Sequence, residues 1–253
     1  MTFAAAPSLT HSSISAPPTQ ADEPAILLAD VWVQYRLRHA HHYNLKRALA
    51  TMLARRSEQA EVITALAGVT LQIPAGSRIG LSGPNGAGKS TLLAVMSGAL
   101  VPSSGSTRTR GRVLALLGGP NEGLDPEQTG RENAISLGIR YGEGGAAMAE
   151  RVDQIADFSG LGRRFDHPVY SYSTGMQVRL RFSTITAIGA DVLLVDEGFG
   201  TTDAEFNERA AARLAEFYAA SGTLVLSSHD EGLLAQHCDQ FLRLAAGQVT
   251  PAS

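Results

Sequence analysis

A chain of 253 residues, 44% of them apolar, can bury one sizeable core, or one core with a small lobe. Its 21 Lys and Arg against 24 Asp and Glu leave a net charge of -3, which excludes a global field attracting nucleic acid. The single cysteine, Cys238, excludes an intrachain disulfide, and no apolar run approaches the roughly 20 residues needed to span a bilayer.

Residues 1–24, rich in Ala, Pro, Ser and Thr, lack a basic start followed by an apolar run and read as a disordered tail rather than a signal peptide, which points to the cytoplasm. "AILLADVWVQY" follows as the first strand-like stretch. Residues 44–56, "NLKRALATMLARR", then place Leu45, Leu49, Met52 and Leu53 on one helical face with Lys46, Arg47, Arg55 and Arg56 elsewhere. That segment is either a surface helix packed on its own domain or a docking helix for a membrane-embedded partner or a lipid surface. His39, His41 and His42 precede it without acidic or thiol neighbours in register and read as solvated rather than metal-binding. Further strand-like runs are "GVTLQI", "RIGLSG", "RVLALLGG", "DVLLVDE" and "GTLVLSSHD", and helical patterns cover 90–99, 129–141, 146–160, 175–189 and 204–221. This alternation predicts an α/β fold on a largely parallel sheet.

"GPNGAGKS", Gly83 to Ser90, satisfies G-x-x-x-x-G-K-[ST] directly after a strand-like run and at the start of a helical one. In a P-loop of this form the glycines let successive backbone N–H groups turn toward phosphate oxygens, and the following helix adds its positive end. Gly83, Pro84, Asn85, Gly86, Ala87, Gly88, Lys89, Ser90 and Thr91 are therefore the expected ATP-binding residues, with Lys89 bridging the β- and γ-phosphates and the Ser90 hydroxyl on Mg²⁺. "DVLLVDE" delivers Asp196 and Glu197 to the carboxyl end of a buried strand, where such sheets bind ligands. Asp196 is expected to hold Mg²⁺ and Glu197 to orient the attacking water; without a P-loop, both acids would read as a solvated strand end. His229 follows "TLVLSS" at the same edge, placed to donate a hydrogen bond to a γ-phosphate, although a lone histidine is more often structural.

The P-loop, "DVLLVDE", "SSHD" and "YSTGM" occur in the order found in the nucleotide-binding subunit of an ABC transporter, which the chain resembles from about residue 25 to 250. The resemblance implies a P-loop NTPase core of mainly parallel sheet with a small antiparallel β subdomain and a helical subdomain around 129–190 that carries the signature loop. In that family two copies close head to tail, so Ser173, Thr174, Gly175 and Met176 of one copy would complete the ATP site of the other. Read alone, "YSTGM" is an ordinary Ser/Thr helix cap. Tyr172-Ser173-Thr174-Gly175-Met176 is similar to the Tyr-Ser-Ser-Gly-Met form of exporters of O-antigen, capsule and teichoic acid, and "QTGREN" and "TDAEF" agree with that branch. Carried over by position, Tyr35 matches the aromatic that stacks on adenine, though a core aromatic fits the residue equally, and Asp203 matches the acid that couples the two sites of the dimer. The 44–56 segment falls where this branch has an extra element near the membrane subunit.

The chain departs from the family at Gly118-Gly119, where a Mg²⁺-binding glutamine is usual, and at Thr201 and Thr202. The resemblance implies a homodimer driving separate polytopic permease subunits from the cytoplasmic face of the bacterial inner membrane, with ATP and Mg²⁺ as cofactors and no nucleic-acid partner. Some members append a carbohydrate-recognition domain, so an end at Ser253 predicts a subunit that does not itself read the glycan. The alternatives are an ABC ATPase of another transporter type, or a soluble one acting on ribosomes or DNA. Such soluble proteins usually join two nucleotide-binding domains or carry long coiled coils. A P-loop kinase or GTPase switch would leave "YSTGM" and "SSHD" coincidental.

Overall fold

The computed structural model describes residues 23–37, 61–118, 123–196, 203–220 and 222–252. Residues 1–22 of the tail, the 44–56 segment, His39, His41, His42, Gly119, Glu197, Thr201 and Thr202 lie outside the described residues.

Two sheets are formed among the described residues. The smaller is antiparallel, order β2-β1-β4, from β1 (Ile26–Leu37), β2 (Glu61–Ile73) and β4 (Ser104–Thr109). The larger has the order β5-β6-β7-β3-β8-β9, from β3 (Arg78–Ser82), β5 (Val113–Leu116), β6 (Val192–Val195), β7 (Thr223–Ser227), β8 (Gln240–Ala245) and β9 (Gln248–Ala252). Its strands run parallel except for the β8–β9 hairpin. β6 and β7 are buried at every residue, as strands covered on both faces must be, and this is why "VLLV" and "TLVLS" show no alternation.

Six α-helices are described: α1 (Lys89–Met96), α2 (Gly130–Arg140), α3 (Gly145–Ser159), α4 (Thr174–Ile188), α5 (Ala204–Ala219) and α6 (Glu231–His237). One apolar cluster packs α1 and the small sheet on one face of the large sheet, including Ile26, Leu66, Leu92, Leu93 and Val225. A second cluster joins the other face to α2 through α5 with Leu114, Met148, Phe165, Phe182 and Phe206. A link between the sheets runs from the Ala67 N–H to the Gly247 carbonyl at 2.9 Å.

β4, β8, β9 and α6 have no counterpart among the expected elements. "SGSTRT" of β4 has no buried residue, so its strand character comes from pairing with β1 and not from hydrophobic alternation. The expected strand "GVTLQI" is the second half of β2, whose first four residues are exposed. The expected helix over 90–99 ends at Met96, where the Ser97 hydroxyl donates to the Ala94 carbonyl and Gly98 takes φ 77°.

The helical layer is organised by a loop rather than by apolar contact alone. Asn133, 1% exposed, donates from Nδ2 to the carbonyls of Asp125, Gln128 and Thr129 and accepts from the Asp125 N–H at 2.7 Å. The same loop pairs with the segment leading into residue 173, through Val169 N–H to Gln128 O and Tyr170 N–H to Pro126 O, both 2.9 Å. A buried amide that meets four backbone groups leaves them unsatisfied when removed. Asn133→Ala is therefore expected to cost about 2–4 kcal/mol of stability by urea unfolding, summed over several lost bonds.

Candidate functional site

The parallel register sets Gly80, Leu226 and Val195 level on β3, β7 and β6, so the residues that follow emerge together at the carboxyl edge of the sheet. Gly83 to Gly88 leave β3 there and turn into α1. A Cβ on Gly83 would sit 2.2 Å from the Leu244 carbonyl oxygen, and one on Gly88, φ 106°, 2.5 Å from that of Ala65. Backbone closes in on the loop at both ends, which only glycine permits.

Lys89, 6% exposed, donates from Nζ to the Gly83 carbonyl at 2.9 Å and the Pro84 carbonyl at 3.4 Å, which curls its ammonium back across the loop. Helix α1 begins without a side-chain cap and without an acid in its first turn, and Ser90 on that turn is exposed. A positive helix end with a lysine held over it can receive a phosphate.

Asp196 leaves β6 with its N–H bonded to the Leu116 carbonyl and its carboxylate 2.9 Å from the Ser227 hydroxyl, which donates to Oδ1. The acid is 8% exposed and Ser227 is buried, so the carboxylate is held in one orientation at the sheet edge. Ser90 and Asp196 offer a hydroxyl and a carboxylate, the hard oxygen donors that suit Mg²⁺. His229 is exposed at the same edge, between buried Ser228 and Asp230; the latter caps α6 by accepting from the N–H groups of Gly232 and Leu233.

Ser173 starts the other relevant helix. Its Oγ accepts from the Met176 N–H at 3.3 Å, so the capping role read from the sequence is present, while Ser173 and Thr174 are exposed and α4 has no acid in its first turn. By contrast α2, α5 and α6 open with Glu132, Glu205 and Glu231. Glu132 sits below the usual carboxylate range because the Thr129 N–H and hydroxyl donate to it. Tyr172 supports the α4 start from below: its hydroxyl donates to the Arg164 carbonyl at 2.6 Å, and burial pushes the phenol up to about 12.

Tyr35 lies on β1 opposite Ile63 and is 43% exposed, which removes the core-aromatic alternative. Asp203 caps α5, with Oδ1 accepting from the Phe206 N–H at 3.0 Å. Two contributors escaped sequence reading. Ser227 stood within the quoted "SSHD", and Arg179, which forms an ion pair with Asp203, lay in a helix read only for its spacing.

A parallel sheet with a glycine-rich loop feeding a helix, and an acid two strands away at the same edge, defines a P-loop nucleotide-hydrolysing protein. A sequence profile of the ABC transporter family matches residues 66–200, over half of the chain, and the chain belongs to that family as an ATP-hydrolysing, nucleotide-binding subunit. It is 38% identical over 229 residues to the O-antigen export system ATP-binding protein RfbB of Myxococcus xanthus, covering 89% of this chain and 52% of that one. It thus spans about half the length of that relative. It is 34% identical to RfbE of Yersinia enterocolitica, likewise an O-antigen export system ATP-binding protein, covering 89% and 96%. TagH of Lactococcus lactis, a teichoic acids export ATP-binding protein, is 30% identical over 81% of this chain and 43% of the relative. Among solved structures, the dimeric post-hydrolysis state of the ATP-binding cassette MJ0796 with ADP and Pi superposes with TM-score 0.71 at 21% identity, covering 88% of this chain and 96% of that one. That likeness speaks to the fold.

Lys89→Ala removes the buried ammonium from the loop. It is expected to weaken ATP binding by about ten- to a hundredfold, the worth of a charge-assisted contact, in a fluorescent-nucleotide titration. Unchanged affinity in a folded variant would remove Lys89 from the site.

Proposed function

We propose that the chain works as a homodimer in which each ATP lies between the P-loop of one copy and Ser173–Met176 of the other, and that closing and reopening drive polysaccharide export through separate membrane-spanning permease subunits. The observation that carries this reading is the exposed, acid-free start of α4. An exposed Ser173 on a neutral cap, with Gly175 behind it, suits close approach to a phosphate held by another copy. Lys89 contacts the β- and γ-phosphates, Gly83 to Thr91 wrap them, and Tyr35 stacks on the adenine. Ser90 and Asp196 hold Mg²⁺, which neutralises phosphate charge when bound. Glu197 orients and polarises the attacking water, His229 donates to the γ-phosphate, and Asp203 couples the two sites.

The cargo reading rests on the wording of Tyr172 to Met176 and on the names of the relatives, two in O-antigen and one in teichoic acid export. The subunit would sit peripherally on the cytoplasmic face and work with a membrane partner; no helix among the described residues is long and apolar enough to cross a membrane.

Ser173→Arg is expected to leave ATP binding by single copies intact and to block ATP-dependent dimerisation in light scattering; a dimer formed by this variant refutes the trans role. For the cargo, deletion of the gene is expected to deplete surface glycan while lipid-linked glycan accumulates inside, seen by gel and sugar analysis. No change in either pool overturns polysaccharide export.

A further inference from the structure

Arg179 lies on α4 four residues beyond Gly175, less than two helical turns from the exposed start at Ser173. Its guanidinium pairs with Oδ2 of Asp203 while its face lies 5.4 Å from the centroid of the Phe206 ring. Asp203 is thereby held twice, since its other oxygen accepts from the Phe206 N–H at 3.0 Å. Phe206 is buried and meets Phe182 of α4 edge-on, with ring centroids 5.9 Å apart. The beginning of α5 is therefore fastened to α4 by an ion pair, a cation–π contact and an aromatic pair within one turn of each helix.

The magnitude of the ion pair says what it is for. The Asp203 side chain is 51% exposed, and an ion pair with a partner this open to water adds little to folding stability. What the pair does supply is geometry, because a planar guanidinium can bind a carboxylate at its edge and lie over an aromatic ring with its face at once. We infer that Arg179 is a positioning residue for ATP turnover, which locks the Asp203 end of α5 to the Ser173 helix so that the two move as one piece when copies close. The inference rests on the dimeric reading above, in which Ser173 and Asp203 both serve the composite site.

A double-mutant cycle tests it. Arg179→Met keeps the stem and removes the charge, and Asp203→Asn keeps a cap acceptor for Phe206 while removing the carboxylate. Each is expected to lower kcat about tenfold with the KM for ATP within about twofold, and the double variant is expected to be no slower than the slower single one, as coupled residues behave. Arg179→Lys, which restores the charge without the planar face, should recover at least about a third of the lost turnover, while all variants melt near the wild type. Losses that multiply to about a hundredfold in the double variant, or that track a drop in melting temperature, overturn the positioning role. The dimeric reading fails separately: wild-type protein that hydrolyses ATP yet shows no ATP-dependent dimer sinks that reading and this inference with it. A wild-type dimer with a multiplicative cycle sinks only the role of Arg179.

Discussion

The parallel register of β6, β7 and β3 is the constraint on which the rest of the molecule depends. It sets Val195, Leu226 and Gly80 level, so that Asp196, Ser227 and the loop from Gly83 come out at one edge although 113 positions separate Gly83 from Asp196 in the chain. A one-residue slip in a parallel pair would turn each side chain to the other face and bury the acid away from the loop. Because β6 and β7 are apolar on both faces, alternation does not set this register, and the polar contact of Ser227 with Asp196 at the strand ends favours it.

The helix starts differ in charge. An acid in the first turn satisfies N–H groups and suits the dipole, as Glu132 does for α2 in a full capping box. α1, α3 and α4 have no acid there. α1 uses a bare glycine and α4 a neutral serine, leaving the dipole of each available to an anion. Neutral starts cost a little local stability and keep phosphate from meeting a fixed negative charge.

Around α4 hydroxyl bonds and ring contacts are dense. The hydroxyls of Ser183, Thr184 and Thr186 each donate to the carbonyl four residues back, so these three groups are satisfied within a largely buried helix. Phe158, Phe182 and Phe206 interlock at centroid separations of 5.9 to 6.2 Å, and Arg209 and Arg213 lie over Phe158.

Local chemistry by itself determined the P-loop, the buried strand ending in Asp196, the capped start of α4 and the α/β class, because each depends on residue types a few positions apart: glycines before a lysine, an apolar run before an acid, a serine before a helix. The tertiary structure decided what depends on residues far apart. β4 is a strand only because β1 offers it backbone partners, Tyr35 is exposed because it sits beside the exposed Ile63 at the far end of the β1–β2 pair, and Ser227 supports Asp196 because β6 and β7 are neighbours. The pairing of Arg179 with Asp203 belongs to the same class. Neither residue carries any mark of the other in its local sequence, since the contact exists only once α4 and α5 pack through Phe182 and Phe206.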